Sequence, residues 1–326
     1  MATLIEPQYV VAMDIGGTNI RTALISTQGQ IVDREQRHTI PERGLNKVLA
    51  DVIEMLRNMV NRGKDYKIVG IGIGAPGPLD PKEGVIIQTH NLGWKNVALR
   101  SIVRQELQLP TYLDNDCNMA ALGERWLGVG RGVDDFVCLT LGTGVGGAIF
   151  LNGRVYHGAG GTAGHIGHFV IDPNGPKCGC GGRGHLEAYA SSVAIVRRTV
   201  EAIRSGHKSM LSSLAGGDLS LLTSRAVFDA AEAGDELAMS IFKETGAYIG
   251  LVLVSLMNIL DPKLVVIGGQ VAQAGPILFD SIRRKVEEFS LIGRRAEIVP
   301  AILGNDAGIL GAAAMVLQGE GILRLD

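Results

Sequence analysis

Short apolar runs that end at glycine alternate along the chain with longer segments in which apolar residues recur every three or four positions. Three such runs open the chain, joined in part by a Gln28-Gly29 turn, and they predict strands at residues 10–13, 22–26 and 31–36. Residues 44–62 then have helical spacing, and residues 68–74 return to a strand. This order of elements predicts an α/β domain.

A similar order returns in the second half of the chain. Strands are predicted at 136–140, 148–151 and 154–157, with an Asn152-Gly153 hairpin turn before the last. Amphipathic segments predict helices at 188–205, 219–233 and 236–260. A Gly- and Ala-rich helix at 306–317 is expected to pack on the first half. We therefore predict a smaller α/β domain, 1–118 plus 306–326, and a larger α/β domain, 119–305.

Composition narrows the class of protein. The chain of 326 residues is long enough for two domains, and its formal net charge of -2 gives no excess of basic residues to neutralise a nucleic-acid backbone. We find no apolar run long enough to span a bilayer and no charged-then-apolar leader, so we expect a cytoplasmic protein with no membrane partner. The 45 glycines concentrate at strand ends, which favours a ligand cradle over a disordered linker.

Three predicted strands end in glycine-rich turns. In the first turn, the peptide N–H groups of Gly16, Gly17 and Thr18 can surround phosphate oxygens while Asp14 holds a metal ion through water. An ordinary hairpin turn is the alternative there. The other two turns carry these residues: Gly142, Thr143, Gly144, Gly268 and Gly269. Together the three turns suggest two phosphate loops and a base pocket.

Two better-known nucleotide motifs do not fit. Residues 72–77 and 142–147 both match GxGxxG, but that fingerprint requires a helix that begins on the turn and an acidic residue about 20 positions later. Pro76 and Pro78 disfavour the first helix, and residues 148–151 continue as a strand in the second case. No glycine loop ends in Gly-Lys-Ser or Gly-Lys-Thr, so a Walker-type loop is also excluded.

Two histidines and two cysteines have the spacing of a metal site. Nine residues separate His168 from Cys178, one separates Cys178 from Cys180, and four separate Cys180 from His185. Two thiolates and two imidazoles would fill a tetrahedral zinc site and leave no open position, which is typical of a structural site. A disulfide between the two cysteines is the competing interpretation, disfavoured because a one-residue spacer strains the bond.

A candidate base lies at the start of a predicted helix. Asp116 follows an apolar segment and precedes the helix-forming residues 117–126. An aspartate at a helix start caps free N–H groups and interacts with the positive end of the helix dipole, so we expect Asp116 to remain ionised near neutral pH. The alternative is a plain N-cap with no chemical role.

With these motifs assembled, the chain resembles the ROK family (repressors, open reading frames, kinases) within the superfamily of actin, hexokinase and heat-shock chaperone ATPases. The match runs from Asp14 to residues 304–311 and includes Gly167-His168, the two cysteines and the segment that ends at Glu187. The resemblance implies a two-domain actin-like, hexokinase-like fold with an interdomain cleft. It also implies ATP, Mg²⁺ and structural Zn²⁺ as cofactors, and a homodimer.

The same resemblance assigns roles to individual residues. Asp116 would accept the proton of the attacking sugar hydroxyl, and Asn115 would bind neighbouring hydroxyls. Glu187 and His168 would point at the sugar, with His168 contacting zinc through one ring nitrogen and a hydroxyl through the other. Asn91 is a weaker candidate for the opposite wall. For the nucleotide, the first two glycine turns would flank the phosphates, and the third would lie under the adenine ring.

The chain departs from the family pattern at two positions. His165 stands where the family usually has a glutamate, and His185 stands where a third cysteine is expected. A neutral histidine can donate or accept a hydrogen bond, whereas an ionised glutamate only accepts. The family pattern therefore does not define which sugar substituents this chain prefers near the anomeric or 2-position. His165 either contacts the sugar, competes for zinc, or is simply a polar loop residue.

The resemblance implies ATP-dependent phosphorylation of an aldohexose, most simply glucose, at the 6-hydroxyl, a glucokinase-type reaction of glycolysis. An N-acetylhexosamine kinase acting on N-acetylglucosamine or N-acetylmannosamine is the alternative, and a noncatalytic sugar sensor is a further one. Repressors of this family carry a helix-turn-helix domain before the nucleotide turn. Only 13 residues precede Asp14, so we do not expect a repressor.

Overall fold

The computed structural model describes residues 7–89, 91–214, 218–291 and 296–325. The strands are β1 (Gln8–Ile15), β2 (Asn19–Ser26), β3 (Ile31–His38), β4 (Lys67–Ala75), β5 (Leu79–Asp80), β6 (Val85–Gln88), β7 (Lys95–Val97), β8 (Thr111–Asn115), β9 (Phe136–Leu141), β10 (Val145–Leu151), β11 (Arg154–Val155), β12 (Leu264–Gly268) and β13 (Glu297–Pro300). The α-helices are α1 (Leu45–Arg62), α2 (Leu99–Leu107), α3 (Asp116–Leu127), α4 (Glu187–Ala190), α5 (Ser192–Arg204), α6 (Leu211–Leu214), α7 (Ser224–Glu232), α8 (Glu236–Leu260), α9 (Pro276–Phe289) and α10 (Ala307–Gly319).

These elements form three sheets, with strand orders β3-β2-β1-β4-β8, β11-β10-β9-β12-β13 and β5-β6-β7. In the first sheet β1 is antiparallel to β2 and parallel to β4. In the second, β12 is parallel to both β9 and β13. Mixed sheets with helices between their strands confirm the predicted α/β class.

The chain divides into two compact units. The first unit contains residues 1–134, 148–164 and 302–326, and the second contains 135–147 and 165–301. This division differs from the boundary predicted near residue 118, because α3 runs without interruption from Asp116 to Leu127 and its residues belong to the first unit.

Glycines on the strand and helix surfaces of the first unit let α10 pack closely. A Cβ atom at Gly72 of β4 would collide with the carbonyl of Ala312, and one at Gly311 would collide with the carbonyl of Met119 in α3. Ala312, Ala313 and the apolar residues of α10 are buried. The C-terminal helix therefore packs on the first unit, as the sequence predicts, because small residues allow backbone to approach backbone.

The core of the second unit is built around α8. By length and composition α8 is apolar enough to cross a membrane, yet 61% of its most apolar window is buried inside the structure. Its Gly246 and Gly250 face α9, where a Cβ atom would lie 2.7 Å from the carbonyl oxygen of Leu278 and from the Cβ of Lys285, respectively. Burial of this kind is typical of a core helix.

Several predicted elements differ in detail. The segment 188–205 forms two helices, because Ser191 leaves the helical conformation and caps α5 by accepting a hydrogen bond from the N–H of Ala194. Thr223 caps α7 in the same manner, so the predicted helix 219–233 begins with a separate 3-10 turn. The predicted strand 154–157 is only two residues long. Helices α2 and α9 and the small third sheet are not anticipated by the sequence patterns.

Candidate active site

The first glycine turn is a tight hairpin between β1 and β2. The N–H of Gly16 donates to the carbonyl of Asn19 at 2.8 Å. Thr39, which is fully buried, donates from its hydroxyl to the carbonyl of Gly16 at 2.7 Å and from its N–H to the carbonyl of Thr18 at 2.9 Å. Thr39 is a residue that sequence reasoning missed. Its two hydrogen bonds hold the turn through the carbonyls of Gly16 and Thr18 and do not involve the N–H groups of Gly17 and Thr18.

Asp14 and Asn91 border this turn. The Asp14 carboxylate lies 3.7 Å from the guanidinium of Arg21, retains 20% side-chain exposure, and faces Gly308 in the first turn of α10. Burial raises the pKa of Asp14 to about 6, and the positive charge of Arg21 opposes that rise. Asn91 lies against Gly17, where an added Cβ atom would be 3.2 Å from the Asn91 Cβ. Asn91 is thus beside the first glycine turn.

The helix cap at α3 is Asn115, which corrects the expectation that Asp116 is the N-cap. The side-chain oxygen of Asn115 accepts from the N–H groups of Cys117 at 2.9 Å and Asn118 at 3.4 Å, and its amide nitrogen donates to the carbonyl of Gly77 at 3.3 Å. Asp116 is the first helical residue, and its carboxylate accepts from the N–H of Cys117 at 2.8 Å.

The expected ionisation of Asp116 is also corrected. Burial and the negative charge of Asp14 raise the pKa of Asp116 to about 7, although its hydrogen bond from Cys117 acts in the opposite direction. Desolvation therefore outweighs the hydrogen bonds that stabilise the ionised form, and the carboxyl titrates near neutral pH instead of remaining fully ionised. A carboxyl with such a pKa is well matched to proton transfer at physiological pH.

The sequence interpretation missed a pair close to Asp116 in the chain, formed by a buried acid, Asp114, and a partly exposed histidine, His157. Asp114 is 5% exposed, and its Oδ2 lies 2.7 Å from Nε2 of His157. The other carboxylate oxygen accepts from the N–H of Asn115 at 2.6 Å and from the side-chain amide of Asn118 at 2.9 Å. The hydrogen bond to Asp114 raises the pKa of His157 against the effect of burial. The sequence signal was a carboxylate at the end of a buried strand, because a buried carboxylate requires a charged or hydrogen-bonding partner.

In the second unit, the other two glycine turns are neighbours. The N–H of Gly142 donates to the carbonyl of Gly144 at 2.9 Å, and the N–H of Ser192 donates to the carbonyl of Gly142 at 2.8 Å. Gly269 has φ of 88° and is packed against the backbone of Leu141, so only glycine fits there without strain. The contact brings the third turn beside the start of the second, and Thr143 at the tip of the second turn is exposed.

The four predicted metal ligands converge. One ligand atom from each of His168, Cys178, Cys180 and His185 lies within 4.8 Å of the others. Nδ1 of His168 is 4.0 Å from the sulfur of Cys178, and Nδ1 of His185 is 3.2 Å from the sulfur of Cys180. Ligands of a tetrahedral zinc ion are roughly 3.5 Å apart, so this donor set fits zinc. Both cysteines are free thiols, which excludes the disulfide alternative in this structure.

Glu187 lies between the metal-ligand group and the second glycine turn. Its Oε1 accepts a hydrogen bond from the Cys178 thiol at 3.1 Å, and its Oε2 accepts from the N–H of Val145 at 3.1 Å. Burial raises the pKa of the Cys178 thiol to about 12, so in the absence of a metal this residue is a hydrogen-bond donor. A Cβ atom at Gly144 would lie 2.5 Å from Oε2 of Glu187, which explains the glycine at that position.

His165 is near the ligand group but is not a member of it among the described residues. Its ring centroid is 6.2 Å from that of His168. Burial, together with the neighbouring His168, lowers the pKa of His165, so this imidazole is neutral at pH 7. A neutral imidazole could still bind a metal, so it is the absence of His165 from the converging group of described residues, and not its charge, that leaves its interpretation as a zinc ligand without support.

The predicted residues thus fall into two groups, one in each unit. The first unit holds Asp14, Gly16, Gly17, Thr18, Asn91, Asn115 and Asp116. The second holds Gly142, Thr143, Gly144, His165, His168, Cys178, Cys180, His185, Glu187, Gly268 and Gly269.

Known proteins resemble this chain over almost its whole length. The profile of the ROK family matches residues 10–319. A glucokinase of Halalkalibacterium halodurans is 38% identical, covering 96% of each chain. The solved ROK family glucokinase of Streptomyces griseus, in complex with glucose and AMPPNP, is 31% identical, with a TM-score of 0.85 over 95% of this chain and 100% of that one. A xylose repressor of Caldicellulosiruptor bescii is 30% identical over 95% of this chain and 78% of its own length. On these grounds, and with the actin-like, hexokinase-like fold that it shares with the solved glucokinase, the chain belongs to the ROK family.

Proposed function

We propose that this protein is an ATP-dependent glucokinase, which transfers the γ-phosphoryl group of ATP to the 6-hydroxyl of glucose and so supplies glucose 6-phosphate to glycolysis. The observation that carries the proposal is the placement of the Asp116 carboxyl at the start of α3, in the same unit as Asp14 and the first glycine turn. The near full-length similarity to proteins named glucokinase supports it.

Asp116 is the general base of the proposed reaction. In its ionised form it accepts the proton of the attacking 6-hydroxyl, while the sugar oxygen forms a bond to phosphorus and the bond to ADP breaks. Asn115 supports the sugar: its side-chain oxygen is occupied by two helix N–H groups and one amide N–H donates to the carbonyl of Gly77, so the second amide N–H is the donor proposed for a hydroxyl. Phosphoryl transfer depends mainly on placement and charge stabilisation, so the base needs position more than strength.

Each unit contains groups suited to binding a nucleotide. Peptide N–H groups at Gly16, Gly17 and Thr18 and at Gly142, Thr143 and Gly144 suit phosphate oxygens, and the backbone at Gly268 and Gly269 is open enough to adjoin an adenine ring. Asp14 is the residue that would hold Mg²⁺ through water. Its carboxylate is partly exposed, and the Arg21 guanidinium, at 3.7 Å, is beyond hydrogen-bond distance. When bound, magnesium supplies positive charge next to the phosphates.

The four-ligand group would hold a structural zinc ion. His168, Cys178, Cys180 and His185 leave no open coordination position, so zinc there would stabilise the loop that carries His165 and leads to Glu187. His168 would contribute one ring nitrogen to the zinc ion, and we propose that its other ring nitrogen contacts a sugar hydroxyl. Glu187 and neutral His165 complete the proposed sugar contacts. Because His165 replaces an acidic residue, an N-acetylhexosamine kinase is the second candidate.

The test is an ATP-consumption assay across glucose, mannose, N-acetylglucosamine and N-acetylmannosamine. The wild-type protein should prefer glucose, and Asp116→Asn should lower kcat by roughly 100-fold or more while ATP binding measured by calorimetry changes little. A fully active Asp116→Asn variant would instead indicate that another group is the base. If no sugar is phosphorylated but sugar binds, the protein is a noncatalytic sensor.

His165→Glu should change the ranking of the sugars; an unchanged ranking removes His165 from the specificity determinants.

We also propose that the protein is a cytoplasmic homodimer. Light scattering of the purified protein tests the dimer, and a mass of one chain would contradict it.

A further inference from the structure

The pair formed by partly exposed His157 and buried Asp114 has no role in the function proposed above, yet Asp114 lies two residues before the proposed base in the chain. His157 follows β11, in the segment 148–164 that belongs to the first unit. Its Nε2 lies 2.7 Å from Oδ2 of Asp114 at the end of β8. Within the described part of the chain, no Arg or Lys nitrogen comes within 4.0 Å of that carboxylate, so His157 is the basic side chain that pairs with it.

The pair is connected to Asp116 by hydrogen bonds that pass through Asn115 and the N–H of Cys117, which donates both to Asn115 Oδ1 and to the Asp116 carboxylate. Asp114 Oδ1 accepts from the N–H of Asn115 and from the side chain of Asn118. Asn115 in turn caps α3 and donates to the carbonyl of Gly77. These bonds fix the backbone on both sides of the peptide unit that carries Asp116.

His157 also anchors the loop that follows it. Its carbonyl accepts from the N–H of Ala163 at 3.0 Å, and Gly158 takes a φ of 70° at the start of this loop. Gly161 packs on β5, where a Cβ atom would lie 3.0 Å from the carbonyl of Leu79. One side chain therefore joins the loop 157–163 to the strand end that precedes the base.

We propose that His157 is a positioning residue for the phosphoryl transfer: its Nε2–H, hydrogen-bonded to Asp114, holds the Asp114–Asn115–Asp116 segment in the geometry that the base requires. The expected change in kcat rests on the proposed kinase function. The effect of His157 on the position of Asp116 does not depend on that function. His157 does not need to contact either substrate for this role. A misplacement of about 1 Å at a reacting group can cost roughly 100-fold in rate, so a remote hydrogen bond of this kind is sufficient.

Three substitutions at His157 test the proposal. The amide nitrogen of glutamine reaches about as far as imidazole Nε2, whereas that of asparagine reaches only as far as Nδ1, and leucine offers no donor. We expect His157→Gln to keep kcat within about threefold of wild type, and His157→Asn and His157→Leu to lower kcat for glucose by roughly 10- to 100-fold, with KM for ATP changed less than threefold. His207→Leu, at an exposed histidine bonded to the carbonyl of Ala202 in the second unit, is the control and should leave kcat unchanged.

Crystal structures of the variants give a readout that does not require activity. The Asp116 carboxylate should keep its position in His157→Gln and move or become disordered in His157→Leu. Equal kcat values for the Gln, Asn and Leu variants, or an unmoved Asp116 in His157→Leu, would overturn the proposal. A wild-type protein that phosphorylates no sugar would overturn the kinase function instead, and the crystallographic comparison would still decide whether His157 positions Asp116.

Discussion

At the scale of single residues, the chemistry of this protein depends on which neighbours a side chain meets in the fold. Asp116 has the position expected from the sequence, but Asn115 takes the cap, and burial with Asp14 nearby moves the pKa of Asp116 to about 7. His165 is neutral for a related reason, since burial disfavours its charged form. The identity of a residue sets its possible chemistry, and its surroundings select the protonation state.

The pH dependence of the reaction follows from Asp116. Only the ionised carboxylate accepts a proton, so kcat/KM for glucose should rise with pH through about 7 and level off above it. We expect roughly a tenfold increase per pH unit below the inflection, measured with saturating ATP and constant Mg²⁺. A profile that is flat between pH 5.5 and 8 would contradict the raised pKa or the role of Asp116.

At the scale of elements, glycines decide how closely helices and strands pack. Gly311 lies inside α10, where helix propensity alone predicts that alanine is more stable than glycine by about 1 kcal/mol. The structure predicts the opposite, because a Cβ atom there meets the carbonyl of Met119 in α3.

We therefore expect Gly311→Ala to lower the free energy of unfolding by about 1–3 kcal/mol, measured by urea denaturation. Gly160→Ala is the matched control, since no atom lies within 4 Å of a Cβ built there and its φ is not positive. That control should change stability by less than about 0.5 kcal/mol. A stabilised Gly311→Ala variant would show that α3 and α10 separate readily.

The loop 165–187 is the second element whose order depends on long-range contacts. Its four metal ligands come from a segment with little regular structure, so a bound ion would supply much of its stability. Freshly purified protein should contain about one equivalent of zinc per chain by elemental analysis, and Cys180→Ser should lose most of it. Cys138→Ala, a substitution in β9, should retain the metal. Less than about half an equivalent in the wild type would count against the four-ligand site.

At the scale of the whole molecule, both units contain groups suited to the nucleotide, one around Asp14 and the other around Gly142. If each substrate binds the folded state and not the unfolded chain, it should raise the free energy of unfolding by mass action. At a concentration 100 times its Kd, AMPPNP or glucose should add about 2.7 kcal/mol to the free energy of unfolding. Scanning fluorimetry should show this as a higher Tm, and Asp116→Asn should respond to AMPPNP like the wild type. A nucleotide that leaves the Tm unchanged would contradict ATP binding.

Much of this architecture was predictable from local sequence. Apolar periodicity marked the main strands and helices, and glycine after an apolar run marked the three turns, because both signals depend on residues only a few positions apart. The spacing of His168, Cys178, Cys180 and His185 indicated a metal site, and the structure brings their ligand atoms together. However, local patterns predicted helices that were too long. At Ser191 and Thr223 a side-chain cap begins a new helix inside the predicted one.

By itself, then, the sequence determined the α/β class, the family and the inventory of turns, acids and thiolates available for chemistry. Only the tertiary structure decided that Asn115 caps α3, that Thr39 supports the first turn, and that His157 partners Asp114. The physical reason is that burial, electrostatic fields and hydrogen-bond partners come from residues far apart in the chain. No local pattern records these relationships, and the protonation state of Asp116 is set by them.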